Sequence, residues 1–164
     1  MKKVTLLILT LFACNIAQAD NKYAAGMQSS FPAWGISGKM KIDDKITAQA
    51  ILGPMGSLGT YAARGLYTFK SEKEYDMYGF GMLGLFTYEG KTLNLITLQN
   101  EVTTEVGTGF GAGVGIEANW QHLAPEMPPV YFSGEIGLGF INFDTLYSFN
   151  SIMIGAGVHY KFKK

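Results

Sequence analysis

The sequence is poor in cysteine, in histidine, in charge, and in net charge of either sign. Cys14 is its one cysteine, and His122 and His159 are its two histidines. A zinc or iron site therefore has too few soft ligands, and no cofactor is expected. Only 16% of the 164 residues are charged, and thirteen basic groups balance thirteen acidic ones. A nucleic-acid binder needs a basic excess, so that class is excluded. Disorder needs low hydrophobicity and high net charge, whereas 48% of this chain is hydrophobic. Beyond the first residues no run is long and apolar enough for a transmembrane helix. What the chain does have is glycine, at 21 positions, and a 13% share of aromatics.

The beginning has the pattern of an export leader. Met1-Lys2-Lys3 is basic, Val4 to Ala13 is apolar apart from Thr5 and Thr10, and Ala17-Gln18-Ala19 forms an A-x-A cleavage signature before Asp20. Residues 1–19 are expected to be a signal peptide and 20–164 the mature domain. A lipoprotein reading, with Cys14 acylated after Leu11-Phe12-Ala13, is disfavoured by the bulk of Phe12. Loss of Lys2 and Lys3 leaves the mature chain slightly acidic and without cysteine, so no disulfide holds it together.

The remainder reads as eight segments of alternating polarity cut by turn residues: 22–30, 34–42, 46–53, 59–70, 76–88, 105–120, 130–140 and 151–162. All five prolines fall between these segments, where a missing amide donor does no harm. One face is apolar, for example Ile36 and Met40, Tyr61 and Tyr67, Phe110 and Val114, Ile136 and Leu138, Ile152 and Ile154. The other is small or polar: Ser37, Lys39, Lys41, Gln49, Thr60, Arg64, alternate glycines from Gly107 to Gly115, Glu117, Ser133, Glu135, His159 and Lys161. Segment 76–88 is apolar on both parities, so a bulge is expected there. The first segment is weakly patterned.

Five successive alternate glycines on a solvated face would weaken a strand and pack nothing. Inside a narrow barrel they make room for larger side chains opposite. The apolar face is therefore expected to look outward, toward lipid. The fold class expected is all-β, an eight-stranded antiparallel up-and-down transmembrane β-barrel. Turns 43–45, 71–75 and 121–129 would lie with the termini on the periplasmic side, and loops 31–33, 54–58, 89–104 and 141–150 outside. Trp34, Phe86, Tyr88 and Phe140 would form the outer aromatic girdle, and Phe69, Trp120, Tyr160 and Phe162 the inner one.

The last strand, Gly155-Ala156-Gly157-Val158-His159-Tyr160-Lys161-Phe162, resembles the terminal signal by which bacterial outer-membrane proteins are recognised for assembly. Gly157, Tyr160 and Phe162 carry that likeness. In length, strand count and leader the mature chain resembles the small OmpA-like eight-stranded barrels. It departs from them in the Lys163-Lys164 that follow Phe162 and in a small residue at Gly155. The resemblance implies the bacterial outer membrane as location. Outer-membrane lipid, lipopolysaccharide and the barrel assembly machinery are then its surroundings and partners, and a surface partner is unspecified.

Four groups of residues could carry chemistry. Arg64, the only arginine, shares the inward face with Glu117, Glu135, His159, Lys39 and Lys161. A buried guanidinium needs a carboxylate, so the set is expected to be a polar plug, in preference to a narrow ion path. Ser133, Glu135 and His159 would meet if Phe140 paired with Ile152, as a nucleophile set for lipid A acyl-chain chemistry. A sealed lumen could not admit that substrate, so no enzyme is expected. Gly79-Phe80-Gly81-Met82-Leu83-Gly84 matches a dinucleotide fingerprint only as a string, without the strand–turn–helix it requires. Segment 89–104 either binds a surface partner or extends two strands, and strand extension is the preferred reading. The expected role is structural or surface-interacting.

Overall fold

The computed structural model describes residues 22–55, 58–94, 99–122, 124–143 and 148–162. The leader expected over 1–19 and Lys163-Lys164 lie outside the described residues. Eight strands follow in chain order: β1 (Tyr23–Ser30), β2 (Ala33–Lys41), β3 (Ile46–Met55), β4 (Leu58–Ser71), β5 (Tyr75–Asn94), β6 (Gln99–Asn119), β7 (Val130–Phe143) and β8 (Phe149–Lys161). Each pairs antiparallel with the next, and β1 pairs with β8, so the sheet closes into an up-and-down barrel. Closure leaves the barrel wall with no open edge. Among the described residues the one helical element is a single 3-10 turn at Trp120–His122. None is long and apolar enough to cross a membrane.

The two chain ends meet: Ala24 lies beside Lys161, and the amide of Phe162 donates to the Tyr23 carbonyl at 3.1 Å. Short turns follow β2 and β4 at this end. Asp43 shapes the first of them by accepting from the amides of Lys45 and Ile46, both at 2.7 Å. At the far end, residues 31–32 turn the chain through a cis Phe31–Pro32 bond. Gly35, just inside β2, has φ +145°, and a Cβ there would strike the Leu52 carbonyl. Only glycine fits that close approach.

Strand boundaries differ from the sequence reading mainly at the far end. β5 and β6 run past the expected boundaries at 88 and 105, pairing as far as Asn94 and Gln99, which is the strand extension preferred for segment 89–104. Pro54 lies inside β3, one residue before its end and paired with Gly59. At a strand's end a missing amide donor is tolerated. The bulge falls in β4 between Thr68 and Lys70, not in the facing stretch of β5.

The double apolarity of β5 has a different cause. Tyr78, Phe80, Met82 and Phe86 turn into the lumen and are buried, while Leu83 and Leu85 face outward. They meet the glycine face of β6. A Cβ on Gly109 would lie 2.6 Å from the Phe86 ring, one on Gly115 2.6 Å from the Tyr78 ring, and one on Gly111 2.7 Å from Met153 Sδ. Large rings on one wall thus occupy the space that glycines leave on the next, which lets eight strands close around a filled interior. Phe86 is fully buried, so it does not belong to the outer girdle. Its parity on β5, set by the β4 and β6 pairing, decides this.

Candidate functional site

Among the described residues, Lys39, Arg64, Glu117 and Glu135 are the buried charged ones, and all four lie in the interior. Glu135, facing inward from β7, is its hub. Its carboxylate accepts from Arg64 Nη2 at 2.9 Å, from the Tyr78 hydroxyl at 2.7 Å, from Gln28 Nε2 at 3.1 Å, and from the Ser30 hydroxyl. The two ion-paired side chains are 0% and 1% exposed. The Arg64 guanidinium also lies 4.1 Å from the centre of the Phe80 ring. The carboxylate, with four donors, meets the condition for burying a charge, whereas Arg64 bonds through Nη2 alone, its Nε and Nη1 buried without a hydrogen-bond partner beside the Phe80 ring.

From this hub a chain of side chains crosses the lumen. Gln49 Nε2 reaches Gln28 Oε1 at 3.4 Å and Ser37 Oγ at 2.7 Å, and Ser37 Oγ lies 3.0 Å from His159 Nε2. A second ion group sits nearer the chain ends. Glu117 is held by Lys39 and, at 3.2 Å, by Lys161, whose ammonium lies 3.5 Å from the centre of the Tyr131 ring. A mouth of about 280 Å³ opens beside it, lined by Lys22, Lys39, Lys41 and Tyr78 among others. Beyond the Glu135 hub the lumen turns apolar: Ile51, Phe86, Met153, Ile141 and Phe143 are buried together. Pro32 is drawn in among them, its carbonyl accepting from the Thr60 hydroxyl at 3.5 Å.

The six residues expected in the lumen therefore fall into two ion groups, Arg64 with Glu135 and Lys39 with Glu117 and Lys161. His159 joins the first group through Ser37. Lys41 is not inside: its side chain is 47% exposed and pairs with Asp44 at 3.0 Å. The set Ser133, Glu135, His159 is not assembled. Phe140 pairs with Asn150, two residues from the expected Ile152, so Ser133 faces Gly157 and His159 faces Tyr131. Glu135 is turned to Arg64, and the ring nitrogen Nε2 of His159 to Ser37. Among the described residues no three His, Cys, Asp or Glu gather as metal ligands would.

Gln28, Ser30 and Tyr78 were not legible as members of the network. The first two lie on the weakly patterned β1 and Tyr78 on the strand with two apolar parities. The signal that finds Tyr78 is the row of glycines it faces. Gly157, Tyr160 and Phe162 lie at the closing seam of β8, and Tyr160 packs edge-on against Phe162 at 5.3 Å.

The outside completes the description. Ile36, Leu83 and Ile154 are 72%, 70% and 73% exposed, and large apolar side chains face outward on every strand. Toward the far end the outward face turns mixed, with polar Thr108 and Asn142 exposed beside Val106. A wide apolar band on a closed sheet has no stable place in water, whereas lipid solvates it and asks nothing of a backbone whose hydrogen bonds are made within the wall. Fold and surface together define a small transmembrane β-barrel. Two solved structures resemble it: Neisserial surface protein A, at 18% identity over 85% of this chain and 93% of that one, with a TM-score of 0.48; and the N-terminal β-barrel domain of Pseudomonas aeruginosa OprF, at 14% identity over 85% and 95%, with a TM-score of 0.45. No family model and no curated protein matches the chain.

Proposed function

We propose that this chain is an exported integral protein of the outer membrane of a Gram-negative bacterium, with a structural or surface-interaction role, a closed lumen and no catalytic activity. One observation carries the reading: an apolar exterior encloses an interior filled by the Glu135 hub on one level and by Phe86, Ile51 and Met153 on another. Two different barriers then lie in series, ion-paired polar groups and an apolar section that water crosses poorly. The leader pattern of residues 1–19 and the terminal signal at Gly157, Tyr160 and Phe162 support export and handling by the barrel assembly machinery. Lipid and lipopolysaccharide would then surround the belt, with the chain ends on the periplasmic side.

Fractionation and bilayer recording test the reading together. The protein is expected in the outer-membrane fraction, and recovery as a soluble periplasmic protein would overturn it. In planar bilayers neither the chain nor Arg64→Ala is expected to give discrete conductance steps, because the apolar section remains in the variant. Steps in the unaltered chain would favour a narrow pore. Lipid A mass should stay unchanged on overexpression; a new lipid A species that disappears in His159→Ala or Ser133→Ala would establish an acyl-chain enzyme instead.

A further inference from the structure

The mouth beside Glu117 gathers four lysines from β8, from the start of β1 and from β2. Ala24 on β1 faces Lys39 across one ladder and Lys161 across the other. Lys22 and Lys41 stand next to them at the rim, the Lys41 amide donating to the Lys22 carbonyl at 2.7 Å. All four line the cavity of about 280 Å³, with Lys39 itself 6% exposed. Three carboxylates line it too. Asp76 and Glu117 face each other on β5 and β6, the opposite wall, and Asp44 lies in the turn after β2. Glu117 is taken up by the inner lysines, Oε1 by Lys39 and Oε2 by Lys161. Asp76 accepts from the Ser71 hydroxyl. Lys41 has only the exposed Asp44, a pair that water screens, and Lys22 forms no ion pair among the described residues. Four ammoniums against three carboxylates leave a positive excess, and it falls on Lys22 and Lys41. Such neighbours repel each other, and an anion between them would relieve that repulsion.

We propose that this mouth binds a small phosphate dianion, as inorganic phosphate or the monoester of a small alcohol. Lysine is a compact charge with three rotatable donors, suited to the oxygens of a tetrahedral anion. The planar fork that matches a carboxylate belongs to arginine, and Arg64 is bound to Glu135 instead. The cavity lies at the small end for ligand sites, so it takes a few atoms beyond the phosphate and no polymer. These lysines reach into the mouth of a closed wall. A soluble anion can enter there, whereas a bilayer headgroup is tethered by its chains outside the wall. The inference rests on the closed-lumen reading in one respect: the ion is held at the mouth and not passed through.

The test titrates the full isotope-labelled chain, in uncharged maltoside micelles, with inorganic phosphate at an ionic strength kept constant with chloride. Saturable amide shifts are expected at Lys22, Ala24, Lys41 and Asp76, and acetate should bind about tenfold more weakly or worse. Lys22→Gln combined with Lys41→Gln should weaken phosphate about tenfold or more, with amide signals elsewhere unmoved. Asp76→Asn should tighten it about threefold, because a repelling carboxylate becomes neutral. That variant decides the matter should the double lysine variant fail to fold. No saturable shift, equal binding of acetate, unchanged affinity in the double variant, or no tightening in Asp76→Asn would each overturn the proposal. A silent bilayer without phosphate binding sinks this inference alone. Conductance steps with phosphate binding intact overturn the closed lumen and leave the site standing.

Discussion

At the scale of single residues, the interior is held by complementary sizes and charges. Gly115 faces Tyr78 so closely that a side chain there must displace the ring, and Tyr78 in turn holds Glu135. Gly115→Ala is expected to destabilise the barrel by about 1–3 kcal/mol through overpacking, read by urea unfolding in lipid vesicles. Glu135→Gln leaves the buried Arg64 guanidinium without its counter-charge and should cost about 3–5 kcal/mol. Arg64→Met leaves Glu135 with the donors of Tyr78, Ser30 and Gln28, so it should cost less, and the double variant should cost less than the sum of the two. Additive losses would mean that the two groups do not act as a pair. That Arg64 requires a carboxylate was legible from its type and parity. Which carboxylate it takes was not, because a choice between Glu117 and Glu135 depends on strand register and on the lean of long side chains.

At the scale of elements, alternation located all eight strands because one face of each had to be uniformly apolar. It failed where both faces are apolar. β5 needs bulk inside, against the β6 glycines, and bulk outside, against lipid, so a two-fold pattern carries no parity signal there. Strand extension was the preferred reading of 89–104 and the β5–β6 ribbon bears it out, but where the pairing stops was hidden, because Thr, Glu and Asn there make no apolar face. Because that ribbon stands beyond both neighbours, replacing residues 89–104 by an Asn-Gly turn joins the facing pair Tyr88 and Glu105 directly. The barrel should keep its stability to within about 1 kcal/mol, by the same vesicle assay. A larger loss would show that the ribbon packs back on the barrel.

At the scale of the molecule, the exterior belt makes the membrane part of the fold. Ile154, among the most exposed apolar residues, sits in mid-strand on β8. Ile154→Lys should cost about 2–4 kcal/mol in equilibrium unfolding from vesicles, the penalty for a charge at mid-bilayer depth on a lipid-facing strand. A change near zero would mean that this face meets water, and with it the inside and outside of the barrel would have to be exchanged.

The sequence alone determined the strand count, the antiparallel class and the sidedness of most strands. Those follow from a two-residue period, from glycines too numerous for a solvated face, and from scarce charge confined to one parity. The tertiary structure decided what pairing register and closure control: the Arg64–Glu135 and Lys39–Glu117–Lys161 groupings, the inward turn of Phe86, the separation of Ser133 from His159, and the apolar level above the polar one. A shift of two residues between neighbouring strands leaves every face as it was but exchanges all cross-strand partners, and nothing local in the chain records it.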